Sequence, residues 1–103
     1  MRVDVLSFDG CPSFEALLPR LRQLVIEAGL SEHDIALHRV ASPEQADEQR
    51  FLGSPTVRVN GVDVDPGAAE RDDFGMKCRI YRSAEGQTHT PPDAWIRAAL
   101  DNA

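Results

Sequence analysis

The feature that most constrains this chain is the passage from an apolar strand into a one-sided helix within three residues. Val3 to Phe8 reads as a strand, Asp9-Gly10 as a turn, and Pro12 as the first position of a helix reaching about Ala28. Proline suits that position because its missing N–H would have no helical partner there. Phe14, Leu17, Leu18, Leu21, Leu24, Val25 and Ala28 recur at spacings of three and four and make one continuous apolar stripe. Gly29 then reads as the C′ residue that ends the helix. Pro19 lies inside it, where it removes a hydrogen bond and is expected to kink the helix. Such a strand–helix unit must bury its stripe on a sheet, and the next strand, Ile35 to Val40, is expected to lie parallel to the first through a right-handed crossover.

The rest of the chain completes that sheet. Ser42-Pro43-Glu44-Gln45 opens a short helix expected to reach about Leu52, with Gly53 closing it. Thr56 to Val59 and Val62 to Val64 flank Asn60-Gly61, the strongest hairpin signal in the sequence, and supply the antiparallel part. Pro66 to Lys77 reads as a polar, acidic loop, and Cys78 to Arg82 as a further short strand turning at Ala84-Glu85-Gly86. Thr90-Pro91-Pro92-Asp93 is expected to cap a last helix carrying Trp95, Ile96, Ala99 and Leu100. The expected class is α/β: a mixed parallel and antiparallel sheet with helices on both faces, in a single domain spanning residues 1–103.

Composition narrows the partners. The net charge is -6 over 103 residues, which argues against a nucleic-acid backbone or an anionic membrane as partner. No apolar run approaches the ~18 residues of a membrane span, and Met1-Arg2 leads directly into the first strand. A cytoplasmic location is expected, where two cysteines serve as thiols, redox partners or metal ligands rather than as a structural staple.

Cys11, at the head of the first helix, is the leading chemical candidate. Free N–H groups and the helix dipole favour an anion there, and can lower a cysteine pKa below its ordinary ~8.5. Its bland alternative is a small N-capping residue. Cys78 is either a second thiol over the same site or an ordinary buried cysteine. If Val62 to Val64 returns antiparallel, the following segment starts at the Cys11 end of the sheet, and Cys78 can lie over it. His33, His38 and His89 show no metal-ligand spacing. Asp63, Asp65, Glu70, Asp72 and Asp73 lack the pattern of a calcium loop and read as a solvated loop. Phe14 is divided between core packing and a rim around the sulfur, and Trp95 belongs to the core. No cofactor is implied.

The element order, Cys11-Pro12 at the head of a helix with an internal proline, and Ser54-Pro55-Thr56 before the third strand together resemble the thioredoxin-like superfamily. Pro19 follows Cys11 by the eight-residue interval found there. Pro55 matches that superfamily's cis-proline, whose loop lies against the reactive sulfur and offers backbone groups to an extended peptide or thiol ligand; cis bonds are largely confined to X-Pro. The resemblance implies a substrate rim made of Pro12, Ser13, Phe14, Ser54, Pro55 and Thr56. Gly10-Cys11-Pro12, Phe51 to Thr56 and Cys78-Arg79-Ile80-Tyr81 more narrowly resemble small bacterial thioredoxin-like proteins associated with alkylmercury lyases.

Two departures stand out. Phe14 occupies the place of the second cysteine of Cys-x-x-Cys, so the usual resolving thiol is missing. Asp4 lies seven residues before Cys11, one more than the superfamily's buried aspartate, and one residue in a strand reverses the face. The resemblance therefore implies a thiol–disulfide oxidoreductase lacking Cys-x-x-Cys, with Cys11 attacking and Cys78 as a distal resolving thiol. Its partner would be a protein or a low-molecular-weight thiol or disulfide. The alternatives are a thiolate binder for a soft metal ion such as mercury or copper, and a non-catalytic binding module using the groove beside Pro55.

Overall fold

The computed structural model describes residues 1–102. A strand β1 (Val3–Ser7) leads into helix α1 (Pro12–Glu27), followed by β2 (Ile35–Arg39), a short helix α2 (Pro43–Glu48), β3 (Thr56–Val59) and β4 (Val62–Asp63). Then come a small hairpin, β5 (Tyr81–Ser83) and β6 (Gly86–Thr88), and a closing helix α3 (Asp93–Asp101). The main sheet has four strands in the order β2-β1-β3-β4. β1 is parallel to β2 and antiparallel to β3, and β3 is antiparallel to β4. The chain is thus mixed α/β with a mixed parallel and antiparallel sheet.

Period-two alternation along β1 sorts the two faces. Val3 and Val5 join Val57 and Val59 of β3 under Leu17, Leu21, Leu24 and Val25 of α1 and Ile96 and Leu100 of α3. Leu6 points the other way, into a smaller cluster with Val40, Ala46 of α2 and Phe51. Helices therefore cover both faces, and every residue of β1 is buried. Leu17 and Leu21 are fully buried, each stabilising the fold by about 1.5–3 kcal/mol relative to exposure.

The helix ends show where local signals hold. Helix α1 runs through Pro19, which lies on its exposed face and leaves the Glu15 carbonyl without its helical donor. Gly29, at φ +82°, reverses the chain, and the Leu30 amide returns to the Val25 carbonyl at 3.1 Å. Asn60 and Gly61 both have positive φ, as a tight type I′ hairpin requires.

Helix α2 departs from expectation. It ends at Glu48 rather than near Leu52, and the residue that closes it is Arg50, at φ +54°, not Gly53. The Phe51 amide bonds the Ala46 carbonyl at 2.8 Å. Phe51 and Leu52 are buried, so core packing sets the helix length, not local propensity. At α3, Thr90 makes no cap; Pro92 takes the N-cap position without a side-chain bond. Arg20 of α1 instead donates to the Thr90 hydroxyl and the Pro91 carbonyl, both at 3.1 Å, and reaches Asp93 at 2.6 Å, which ties the two helices together. The expected strand from Cys78 begins only at Tyr81; Cys78 itself makes a lone parallel bridge to Ser54.

Candidate functional site

Gly10, at φ +80°, turns the chain out of the strand end, and Cys11 takes the N-cap position of α1 with Pro12 at the next. The thiol makes no capping bond. Cys11 is 2% exposed, so its sulfur lies inside the protein and not at the surface. Pro12 is exposed; Ser13 and Phe14 are half-buried, and Phe14 packs against the main core.

Opposite, the Ser54–Pro55 bond is cis, as the resemblance implied. Ser54, Pro55 and Thr56 are all buried, so this side of the expected rim offers no open side-chain surface. The Ser54 hydroxyl accepts from the Phe8 amide at 3.4 Å, and Thr56 pairs with Leu6, which fixes this loop beside the segment leading to Cys11. The Thr56 hydroxyl donates to the Gly53 carbonyl at 2.7 Å.

The backbone of Ser54 is occupied on both sides by one later segment. Its amide donates to the Lys77 carbonyl at 2.9 Å, and its carbonyl accepts from the Arg79 amide at 3.0 Å. Cys78, the residue between them, is thereby held against the loop before Pro55, and its side chain is exposed. The reading of Cys78 as an ordinary buried cysteine is overturned. Both cysteines are free thiols. Gly53 permits the approach: a Cβ there would stand 2.9 Å from both the Arg79 Cβ and the Lys77 oxygen, and its φ of +128° disfavours any side chain.

A buried arginine, to which the sequence reading gives no role of its own, holds this segment down. The Arg79 side chain is fully buried. It donates to both oxygens of Asp63, at 2.8 and 3.1 Å, to the Thr56 hydroxyl at 3.0 Å and to Asp65 at 3.4 Å. Its guanidinium lies 4.5 Å from the Tyr81 ring centre. Its Nε has no hydrogen-bond partner among the described residues. The Tyr81 hydroxyl donates to the Pro55 carbonyl. Burial foremost, with Asp63 and Asp65, pushes the Tyr81 pKa well above the ordinary phenol range, so the group stays a donor.

The acidic loop is accordingly not uniformly solvated. Asp63 and Asp65 are half-buried counter-charges to Arg79. Asp73 is gripped by Arg71 and Lys77, which hold its carboxyl far below the usual range, while Glu70 and Asp72 are exposed. The signal that could have found the pair was the alternation Asp63, Asp65 against Arg79, Tyr81, which puts each couple on one side of an extended chain.

Asp4 is a buried carboxylate on the face away from α1, bonded by Arg2 Nε and His38 Nε2, each at 2.7 Å. Burial raises its pKa, but the Arg2 and His38 bonds outweigh that and hold it below the usual carboxylate value. His38 belongs to the edge strand β2, and its ring is engaged there rather than near the cysteines. Among the described residues no three or more His, Cys, Asp or Glu side chains gather as a metal-holding group. Among the same residues no helix is long and apolar enough to cross a membrane.

Comparison of the chain with models of protein families, with curated proteins and with solved structures gave no match.

Proposed function

We propose that this is a thioredoxin-like thiol–disulfide exchange protein whose two working groups are Cys11 and Cys78. The observation that carries this reading is the Ser54–Cys78 bridge, which sets an exposed thiol on the loop of cis-Pro55, beside the strand end that leads to Cys11. The strand–helix unit, the sheet with helices on both faces and the helix-head cysteine support the thioredoxin-like assignment.

Exposure exchanges the roles expected from the resemblance. Cys78 is exposed and Cys11 is buried, so Cys78 meets the substrate first. Its thiolate attacks one sulfur of a low-molecular-weight or protein disulfide; that S–S bond breaks, and the other sulfur leaves as a thiolate and takes up a proton. Cys11 then gives up its proton, attacks the Cys78 sulfur and expels the second substrate thiolate. The products are two substrate thiols and a Cys11–Cys78 disulfide, two electrons having passed from protein to substrate. An external thiol pair reverses the steps. The reducing cytoplasm expected from the sequence is where such a dithiol would be kept ready.

Oxidation with glutathione disulfide, read by intact mass, tests the reading. Wild type loses two hydrogens and gains an internal disulfide. Cys11→Ser instead accumulates one glutathione on Cys78, and Cys78→Ser reacts far more slowly. Wild type carrying two glutathiones and no internal bond would overturn the proposal, as would no reaction at all.

A further inference from the structure

A second feature, independent of the thiols, lies beside the C-terminal end of α2. An open cleft of about 400 Å³ is lined by Arg50, Leu52, Arg58, Val62, Ala68 and Phe74. Its walls are mostly apolar, and two guanidinium groups meet there. In a chain of net charge -6, arginines are expected to find carboxylates. Among the described residues, however, neither Arg50 nor Arg58 is ion-paired. Arg58 spends one nitrogen on the Gln49 and Arg50 carbonyls, at 2.6 and 3.2 Å. Arg50 lies 5.0 Å over the Phe74 ring.

The other charges around the cleft are committed elsewhere. Asp63 and Asp65 line it too, but both are bound to the buried Arg79. Arg71, also in the lining, is bonded twice to Asp73, at 2.7 and 2.9 Å. Burial, then Arg79 and Arg50, pull the Arg58 pKa down against Asp63 and Asp4. An arriving anion would relieve that cost.

Arg50 carries a separate signal. It occupies a left-handed φ of +54° at the end of α2, where glycine sits without steric cost and a side chain does not. An arginine kept in that conformation points to a use for its side chain.

We propose that this cleft binds a small organic anion, a carboxylate or phosphate on an aromatic or apolar body, with Arg50 and Arg58 on the charge and Phe74 and the exposed Val62 against the body. Guanidinium groups suit oxyanions because their donors match the spacing of two oxygens.

Titration of the isotopically labelled full chain with phenyl phosphate, benzoate and inorganic phosphate, followed by amide NMR, tests this. Phenyl phosphate or benzoate is expected to give saturable shifts at residues 50, 58 and 74 with a sub-millimolar Kd. That is about tenfold or more tighter than inorganic phosphate, and the tighter of the two aromatic probes identifies the head group. Arg58→Gln should weaken binding about tenfold. Arg50→Gly suits the backbone, so its folding is safeguarded, and it should weaken binding several-fold. Arg82→Gln, at an exposed position of β5, should leave binding unchanged. Added salt should weaken binding. No saturation by about 10 mM of either aromatic probe, or equal binding by wild type and Arg50→Gly, would overturn the proposal.

Discussion

Replacing Arg79 by methionine asks how much of the fold around Cys78 rests on one cation. Arg79 is fully buried, and its carboxylate partners Asp63 and Asp65 are 13% and 14% exposed. Arg79→Met removes bonds to both carboxylates and to Thr56 and leaves two acids facing an apolar side chain. Breaking a buried pair by deleting one partner costs about 3–5 kcal/mol, most of it the stranded charge. Because Asp63 and Asp65 keep some solvent, the lower part of that range applies, about 3–4 kcal/mol. With a urea slope of about 1–1.5 kcal/mol per molar for a domain of this size, the midpoint should fall by about 2–4 M. Adding Asp63→Asn to Arg79→Met should restore about 2 kcal/mol, since the second change neutralises a charge the first stranded. The control is Arg71→Gln, whose pair with Asp73 is 32% and 49% exposed; it should move stability by no more than about 0.5 kcal/mol. Equal midpoints for Arg79→Met and Arg71→Gln would refute the reasoning, and so would additive losses in the double variant.

Two further outcomes follow from the same contacts. Gly53→Ala must push Arg79 and Lys77 away from a Cβ 2.9 Å distant at a positive φ, so it should cost at least about 2 kcal/mol and raise amide exchange at Arg79; unchanged exchange would count against the close approach. Asp4, held below its ordinary pKa, gives stability that is present above the unfolded carboxylate value of about 3.9 and is lost as pH falls through the lower folded value. Asp4→Asn should therefore lower the urea midpoint at pH 7 and flatten its fall below about pH 4; parallel wild-type and variant curves would remove Asp4 from the acid transition.

What could be read in the sequence depended on the range of the interaction. The stripe of α1 and the Asn60-Gly61 turn were legible because periodicity and turn chemistry act over a few residues. The end of α2 was not, because Phe51 has to leave the helix to pack against Leu6 on the same face of the sheet. Gly53 was visible as a special residue but assigned a helix-ending role; its reason lies in Lys77 and Arg79, more than twenty positions away. Asp63 and Asp65 looked solvated because their partner is equally remote. Topology could bring Cys78 to the end of the sheet where it bridges Ser54, since a returning hairpin delivers the chain there, but its exposure was not legible.

Gly53, Asp63, Asp65 and Cys78 belong to one arrangement. The segment carrying Cys78 has a single bridge to Ser54 and no strand of its own, which is too little pairing to fix an exposed residue. Its position instead comes from the next residue, Arg79, whose side chain is drawn inward by Asp63 and Asp65 while Cys78 faces outward. Alternation along an extended chain makes those opposite directions one choice. Tyr81, two residues on, repeats the inward direction and ends on the Pro55 carbonyl. A thiol presented beside the Pro55 loop and a cation buried behind it are thus consequences of the same few residues, Cys78 to Tyr81.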